Sequence, residues 1–248
     1  MTEVISLPQA GYAFLKGGGH PFSGGVACLK GYTLTRVRFR TPPALAEGLA
    51  RAASFIEAKG RPRAALAACE LRSPKQMSVA EFAAFNKQYV ELLGANGFPA
   101  AAPFPMARSN VAPIYDAPST NTLFAFTYAA AAAGADAQGR TDFLISGKAE
   151  LIDETRSVVG EGDSPAATEK KAAHVLDALR GRVDELRCRW GDVSGIQIYT
   201  ARAIEPALPV LQRFGLANVG ISLNPATPPV TPLEFEVDVR AVSAERML

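Results

Sequence analysis

The feature that most narrows the fold of this chain is an order of elements that occurs twice. Residues 44–60, ALAEGLARAASFIEAKG, place Leu45, Leu49, Ala52 and Ile56 on one face of a helix that closes at Gly60. A short apolar strand follows at 64–74, AALAACELRSP, and Pro74 ends it. A second helix covers 79–94, with Ser78 as its N-cap and Phe82, Phe85, Tyr89 and Leu92 along one face, the ordinary mark of a core-facing helix. The segment PMARSNVAP and the strand TLFAFTYAA complete the series.

Past residue 141 the order returns. A strand, DFLISGKAEL, precedes a helix within GEGDSPAATEKKAAHVLDALRGRVDELR, where His174 is read as structural. The strand VSGIQIYT, a weaker helix AIEPALPVLQRFG, and the segments LANVGISLNP and LEFEVDVRAV follow. Between the two series, YAAAAAGADAQGRTD loses all periodicity. The chain therefore reads as α+β, with tandem units over 1–128 and 141–248 and a linker at 129–140. Each unit is expected to be a twisted, mainly antiparallel sheet with two helices on one face.

Its 248 residues suffice for two such units, and 48% hydrophobic with 20% charged residues describes a globular chain. A net charge of +2, without a basic cluster interleaved with aromatics, argues against nucleic acid as a partner. The N-terminal stretch MTEVISLPQAGYAFLKGGGH lacks a signal-peptide pattern, and no apolar run reaches the roughly eighteen residues of a membrane span. Cys28, Cys69 and Cys188 are far apart, and neither they nor His20 and His174 fall at metal-ligand intervals. Reduced thiols in a cytoplasm, no membrane and no metal are the expectation, and a Ser-His-Asp hydrolase is not.

Three segments carry candidate chemistry. Arg108 begins a strand-like segment written for burial; a guanidinium stays charged, so it needs an anion from the protein or from a ligand. CELRSP sets Glu70 and Arg72 on one strand face, where Arg72 is either a second carboxylate clamp or the partner of Glu70. The loop GGGHPFSGG, 17–25, is either a surface loop or a set of backbone donors with His20 beside a ligand.

The motifs FLISGKAEL, the helix after GEGDSPAATEKKA, VSGIQIYT and VGISLNP followed by LEFEVDVRAV resemble the RidA (YjgF/UK114) family of enamine and imine deaminases. FAAFNKQYVELLG followed by ARSNVAP extends the resemblance to the first half, so it covers nearly the whole chain. It implies two RidA-like, chorismate-mutase-like domains, no cofactor and a homotrimer. It also implies that Arg108, with Ser109, forks a substrate carboxylate. Ser146, Gly147 and Lys148 would form the backbone loop against the ligand, and Glu236 would position or activate water.

Each half departs from the family pattern. The second-half arginine position holds Leu216, while the first-half loop becomes Leu29–Gly31 and its terminal Glu position is apolar. Either Arg108 faces Ser146 and Glu236 across a composite site, or each half keeps remnants only. The two-domain form looks most like the 2-aminomuconate type of deaminase, including 2-amino-5-chloromuconate deaminase. The expected reaction takes a small carboxylate, a 2-amino-enoate such as 2-aminomuconate or its chlorinated analogue, through its imine to a 2-oxo acid and ammonia in aromatic-compound degradation. A general 2-aminoacrylate deaminase and a non-catalytic ligand-binding homologue are the alternatives.

Overall fold

The computed structural model describes residues 2–17, 21–132, 141–152 and 158–248. Helix α1, Leu45–Ala58, buries Leu45, Leu49, Ala52 and Ile56, and its Gly48 lies where a Cβ would come within 2.6 Å of the Leu123 Cβ. That glycine lets the helix settle directly onto the sheet. Helix α2, Val79–Ala95, starts at a capping box: Ser78 accepts from the Glu81 N–H, and the Glu81 carboxylate accepts from the Ser78 N–H. Helix α3, Pro165–Glu185, is capped by Ser164 with proline in its first turn, and the short α4 spans Leu208–Arg213.

Strands are labelled in chain order. The larger sheet runs β1 (Val4–Leu7), β2 (Tyr12–Leu15), β3 (Gly25–Cys28), β8 (Phe143–Ala149), β12 (Phe235–Ala241), β9 (Gly195–Thr200) and β10 (Gly220–Asn224). The smaller runs β11 (Ala226–Thr227), β6 (Ala107–Pro113), β5 (Leu66–Arg72), β7 (Thr122–Ala131), β4 (Tyr32–Arg38) and β13 (Ala244–Met247). The duplication is visible in these orders. The series β6-β5-β7-β4 matches β10-β9-β12-β8, and the first pair of each, β5 with β6 and β9 with β10, is parallel.

Neither sheet is built from one half of the chain. The first three strands join the sheet of the second half, where Gly25–Ala27 of β3 pair with Phe143–Ile145 of β8. In return β11 and β13 flank the sheet of the first half. β7 continues to Ala131, inside the segment expected as linker; residues 133–140 lie outside the described ones, as does His20.

The layers are helices, sheet, sheet, helices. Leu49, Ile56, Phe85, Tyr89 and Leu93 pack under α1 and α2 against Leu66, Leu71 and Phe126. Val175, Leu179 and Val183 of α3 pack on Ile145, Ile196, Ile198 and Val239. Between the sheets, small residues such as Ala67, Ala107 and Ala129 meet Val26 and Leu144, and alternation along each strand sends every second side chain into this layer. No helix among the described residues is long and apolar enough to cross a membrane.

Candidate active site

A cavity of about 960 Å³ opens between α2 and the end of β8, and Arg108, Ser146, Gly147, Lys148, Arg182 and Glu236 all line it. Ser146 ties its walls together. Its hydroxyl donates to the Ser23 carbonyl at 2.7 Å and accepts from the Arg108 backbone N–H at 3.1 Å, so β6, β8 and the approach to β3 meet at one atom.

Arg108 points to the helix side of β6, into a ring of aromatics. Its guanidinium carbon lies 4.2 Å from the centre of Phe22, 5.1 Å from Tyr89 and 5.6 Å from Phe82. The ring faces supply diffuse negative potential but no acceptor. Nη1 is buried without a hydrogen-bond partner, and burial draws the group below the usual arginine range. The aromatic stripe of α2 thus has two roles: Phe85 and Tyr89 fill the core, and the ring faces hold the arginine.

Glu236 is buried on β12, and its carboxyl makes no hydrogen bond or ion pair among the described residues. Burial pushes it up to about 8, with Asp238 and Glu150 adding and Arg108 and Arg72 opposing, so it carries a proton at neutral pH. Gly147 makes room for it, since a Cβ there would collide with Glu236 Oε1. The collision is with the end of a side chain, so Gly147→Ala should displace the carboxyl while leaving the backbone in place. We expect a loss of turnover of about tenfold or more, with a melting temperature within a few degrees of wild type, measured by steady-state assay and thermal melting.

Two further cations share this wall. Burial and the nearby Arg182 push the Lys148 ammonium down to about 8, and its Nζ donates to the Leu151 carbonyl. Arg182, on α3, donates from Nη1 to the Ser146 carbonyl at 3.2 Å. The sequence reading missed Arg182, because an arginine late in a long helix carries no local sign of what that helix crosses.

Other predicted site residues lie elsewhere. Glu70, Arg72 and Ser109 face the layer between the sheets. Burial alone would raise Glu70, but Arg36 grips it through two hydrogen bonds of 2.5 and 2.8 Å and holds it at about 2. Arg72 stacks 4.0 Å from the Phe124 ring, leaves Nη2 without a partner, and does not line the cavity. Ser109 donates to Asp238 at 2.7 Å, where Tyr199 also donates at 2.9 Å and Gln197 bridges Asp238 to Glu70. His174 Nε2 lies 2.9 Å from the Leu151 carbonyl, and Leu216 is buried in the core under α4.

Comparison with known proteins adds the family. A family model described as 2-aminomuconate deaminase CnbZ matches residues 4–246. A 2-amino-5-chloromuconate deaminase of Comamonas testosteroni is 34% identical over 254 residues, covering 100% of both chains. Among solved structures, a chorismatase shares the fold, with a TM-score of 0.52 and 14% identity over 88% of this chain and 77% of its own. The YjgF gene product of E. coli matches 43% of this chain and 83% of its own at 17% identity, with a TM-score of 0.34. With a family model that spans both sheets and a relative alike from end to end, the chain belongs to the 2-aminomuconate deaminase CnbZ family.

Proposed function

We propose that the protein is a hydrolytic enamine/imine deaminase that converts 2-aminomuconate, or a chlorinated analogue, to the 2-oxo acid and ammonia. The observation that carries this reading is an arginine without a partner and a protonated carboxyl in one cavity. Arg108 forks the carboxylate next to the amino-bearing carbon and fixes the plane of the substrate. Protonated Glu236 gives its proton to the enamine carbon, turning C=C–NH₂ into an iminium. Its carboxylate then takes a proton from water as the water oxygen bonds to the iminium carbon. The regained proton passes to the nitrogen of the carbinolamine. The C–N bond breaks, ammonia leaves, and the hydroxyl proton returns to Glu236 as C=O forms.

A three-carbon aminoacrylate has one carboxylate and would leave most of the cavity, with Lys148 and Arg182, unused. Ammonia release from 2-aminomuconate, measured beside 2-aminoacrylate, tests the assignment. Binding without turnover would make the protein a ligand-binding homologue.

The reaction needs Glu236 protonated at the start. Its carboxyl titrates near 8, so kcat/KM should be level through neutral pH and fall as pH rises past about 8. Lys148 loses its charge over the same range and in the same direction. A pH profile of Lys148→Arg, which keeps the charge, separates them: a fall that persists belongs to Glu236.

A cytoplasmic setting belongs to the same proposal, and Cys28, Cys69 and Cys188 are all buried free thiols. So do tandem units over 1–128 and 141–248, with edge strands exchanged, and a homotrimer. The outer strand β10 leaves Ile221 and Leu223 exposed, an apolar edge suited to a second copy. Light scattering should give three times the chain mass; a stable monomer at micromolar concentration would remove the trimer.

A further inference from the structure

The cavity holds more positive charge than one carboxylate can answer. Apart from Arg108, and from Lys87 on the exposed side of α2, it contains Lys148 and Arg182, and neither of these two makes an ion pair with a described residue. Lys148 spends one of its three donors on the Leu151 carbonyl and Arg182 spends Nη1 on the Ser146 carbonyl, which leaves two ammonium N–H groups and Arg182 Nη2 and Nε for another acceptor. The two cations repel each other; of the acids within their field, Glu236 is neutral at the pH of interest, Glu150 is engaged by Lys171 and by the Glu234 and Phe235 N–H groups, and Glu185 accepts from Thr2. Two desolvated like charges on one wall are relieved by an anion placed between them.

Arg108 sits apart from this pair, inside its aromatic ring, and Glu236 is within electrostatic reach of Arg108, Arg182 and Lys148 alike. The cavity therefore has two positive poles and one protonatable group that feels both. We propose that Arg182, assisted by Lys148, receives the second carboxylate of a dicarboxylate substrate, while Arg108 holds the first and the carbon chain passes Glu236. This rests on the deaminase reading for the substrate class and assigns the selection of dicarboxylates over monocarboxylates to Arg182. Arg72, set between the sheets and stacked on Phe124, does not take that part.

The test uses two stable dienes of one shape. Muconate (2,4-hexadienedioate) and sorbate (2,4-hexadienoate) differ in carrying a carboxylate or a methyl group at the far end. Dissociation constants are measured by titration calorimetry on the full chain. Wild type should prefer muconate by about 10- to 100-fold, the effect of one charge-assisted fork. In Arg182→Gln that preference should collapse to within about threefold through weaker muconate binding, with sorbate binding unchanged; Arg182→Lys, which keeps the charge and loses the fork, should fall between.

A preference that survives in Arg182→Gln, or a parallel loss of both ligands, would overturn the assignment, as would wild type binding both equally or binding neither. Should Arg182→Gln fail to fold, Arg182→Lys alone decides by the same ratio. Ammonia release from 2-aminomuconate by wild type is scored separately. Turnover with an Arg182-independent preference sinks this inference and spares the deaminase; an Arg182-dependent preference without turnover does the reverse.

Discussion

Glu236→Gln should lower kcat about 10²- to 10⁴-fold while a dicarboxylate such as muconate still binds within a few-fold of wild type. The amide keeps the size and the neutrality of the resting carboxyl, but it can neither give a proton to the enamine carbon nor take one from water. The same variant should be more stable than wild type at neutral pH. Glu236 is raised from 4.5 to about 8, so the folded protein retains a proton that the unfolded chain releases. The stability carried by that proton is complete below about pH 4.5 and is lost as pH rises towards 8. Glutamine is indifferent to pH, so the variant should gain about 1–3 kcal/mol at pH 7 and lose that advantage near pH 4.5, as read from denaturant melts at the two pH values. A variant that keeps full turnover would remove Glu236 from the chemistry. Asp238 would then be the group to examine, although Ser109, Tyr199 and Gln197 already occupy its oxygens.

Arg108→Ala should reduce kcat/KM about 30- to 5000-fold, equivalent to roughly 2–5 kcal/mol of transition-state stabilisation. Arg108→Lys should recover little of it. A lysine restores the charge but not the planar fork, and it fits the ring of Phe22, Phe82 and Tyr89 less well. Unchanged kcat/KM with a lower melting temperature would make Arg108 a structural cation held by its aromatic neighbours.

Periodicity made the helices legible. The faces of α1 and α2 and the Ser78 cap are written in consecutive residues, and so is the repeated order of strands and helices. The first three strands were not legible. β1, β2 and β3 are four residues each, too short for a period of two to declare itself among the surrounding glycines. The strand that ties them into a sheet, β8, also lies in another part of the chain.

The site shows the same divide. Arg108 could be singled out because a permanent charge in an apolar run is a local conflict. Joining it to its neighbour Ser109 did not anticipate the pleat, which sends Arg108 towards α2 and Ser109 between the sheets to meet Asp238. Glu70 and Arg72 were recognisable as charges on one strand face. That Arg36 on β4 would claim Glu70 depends on the pairing of β4 with β7 and of β7 with β5, which no local pattern encodes.

The exchange of strands between the sheets has a consequence for synthesis. β1, β2 and β3 leave the ribosome more than a hundred residues ahead of the strand that receives them, β8, which begins at Phe143. Until then the nascent chain holds the hairpin of Tyr12–Leu15 and Gly25–Cys28 with an unsatisfied edge, a template for pairing with other chains. Fragments cut near residue 130 should inherit the same defect: the first would carry three strands with no sheet to join, and the second a sheet without its border. Neither half should be recoverable as a soluble folded product when expressed alone, while co-expression of the two should restore the missing edges and yield a complex.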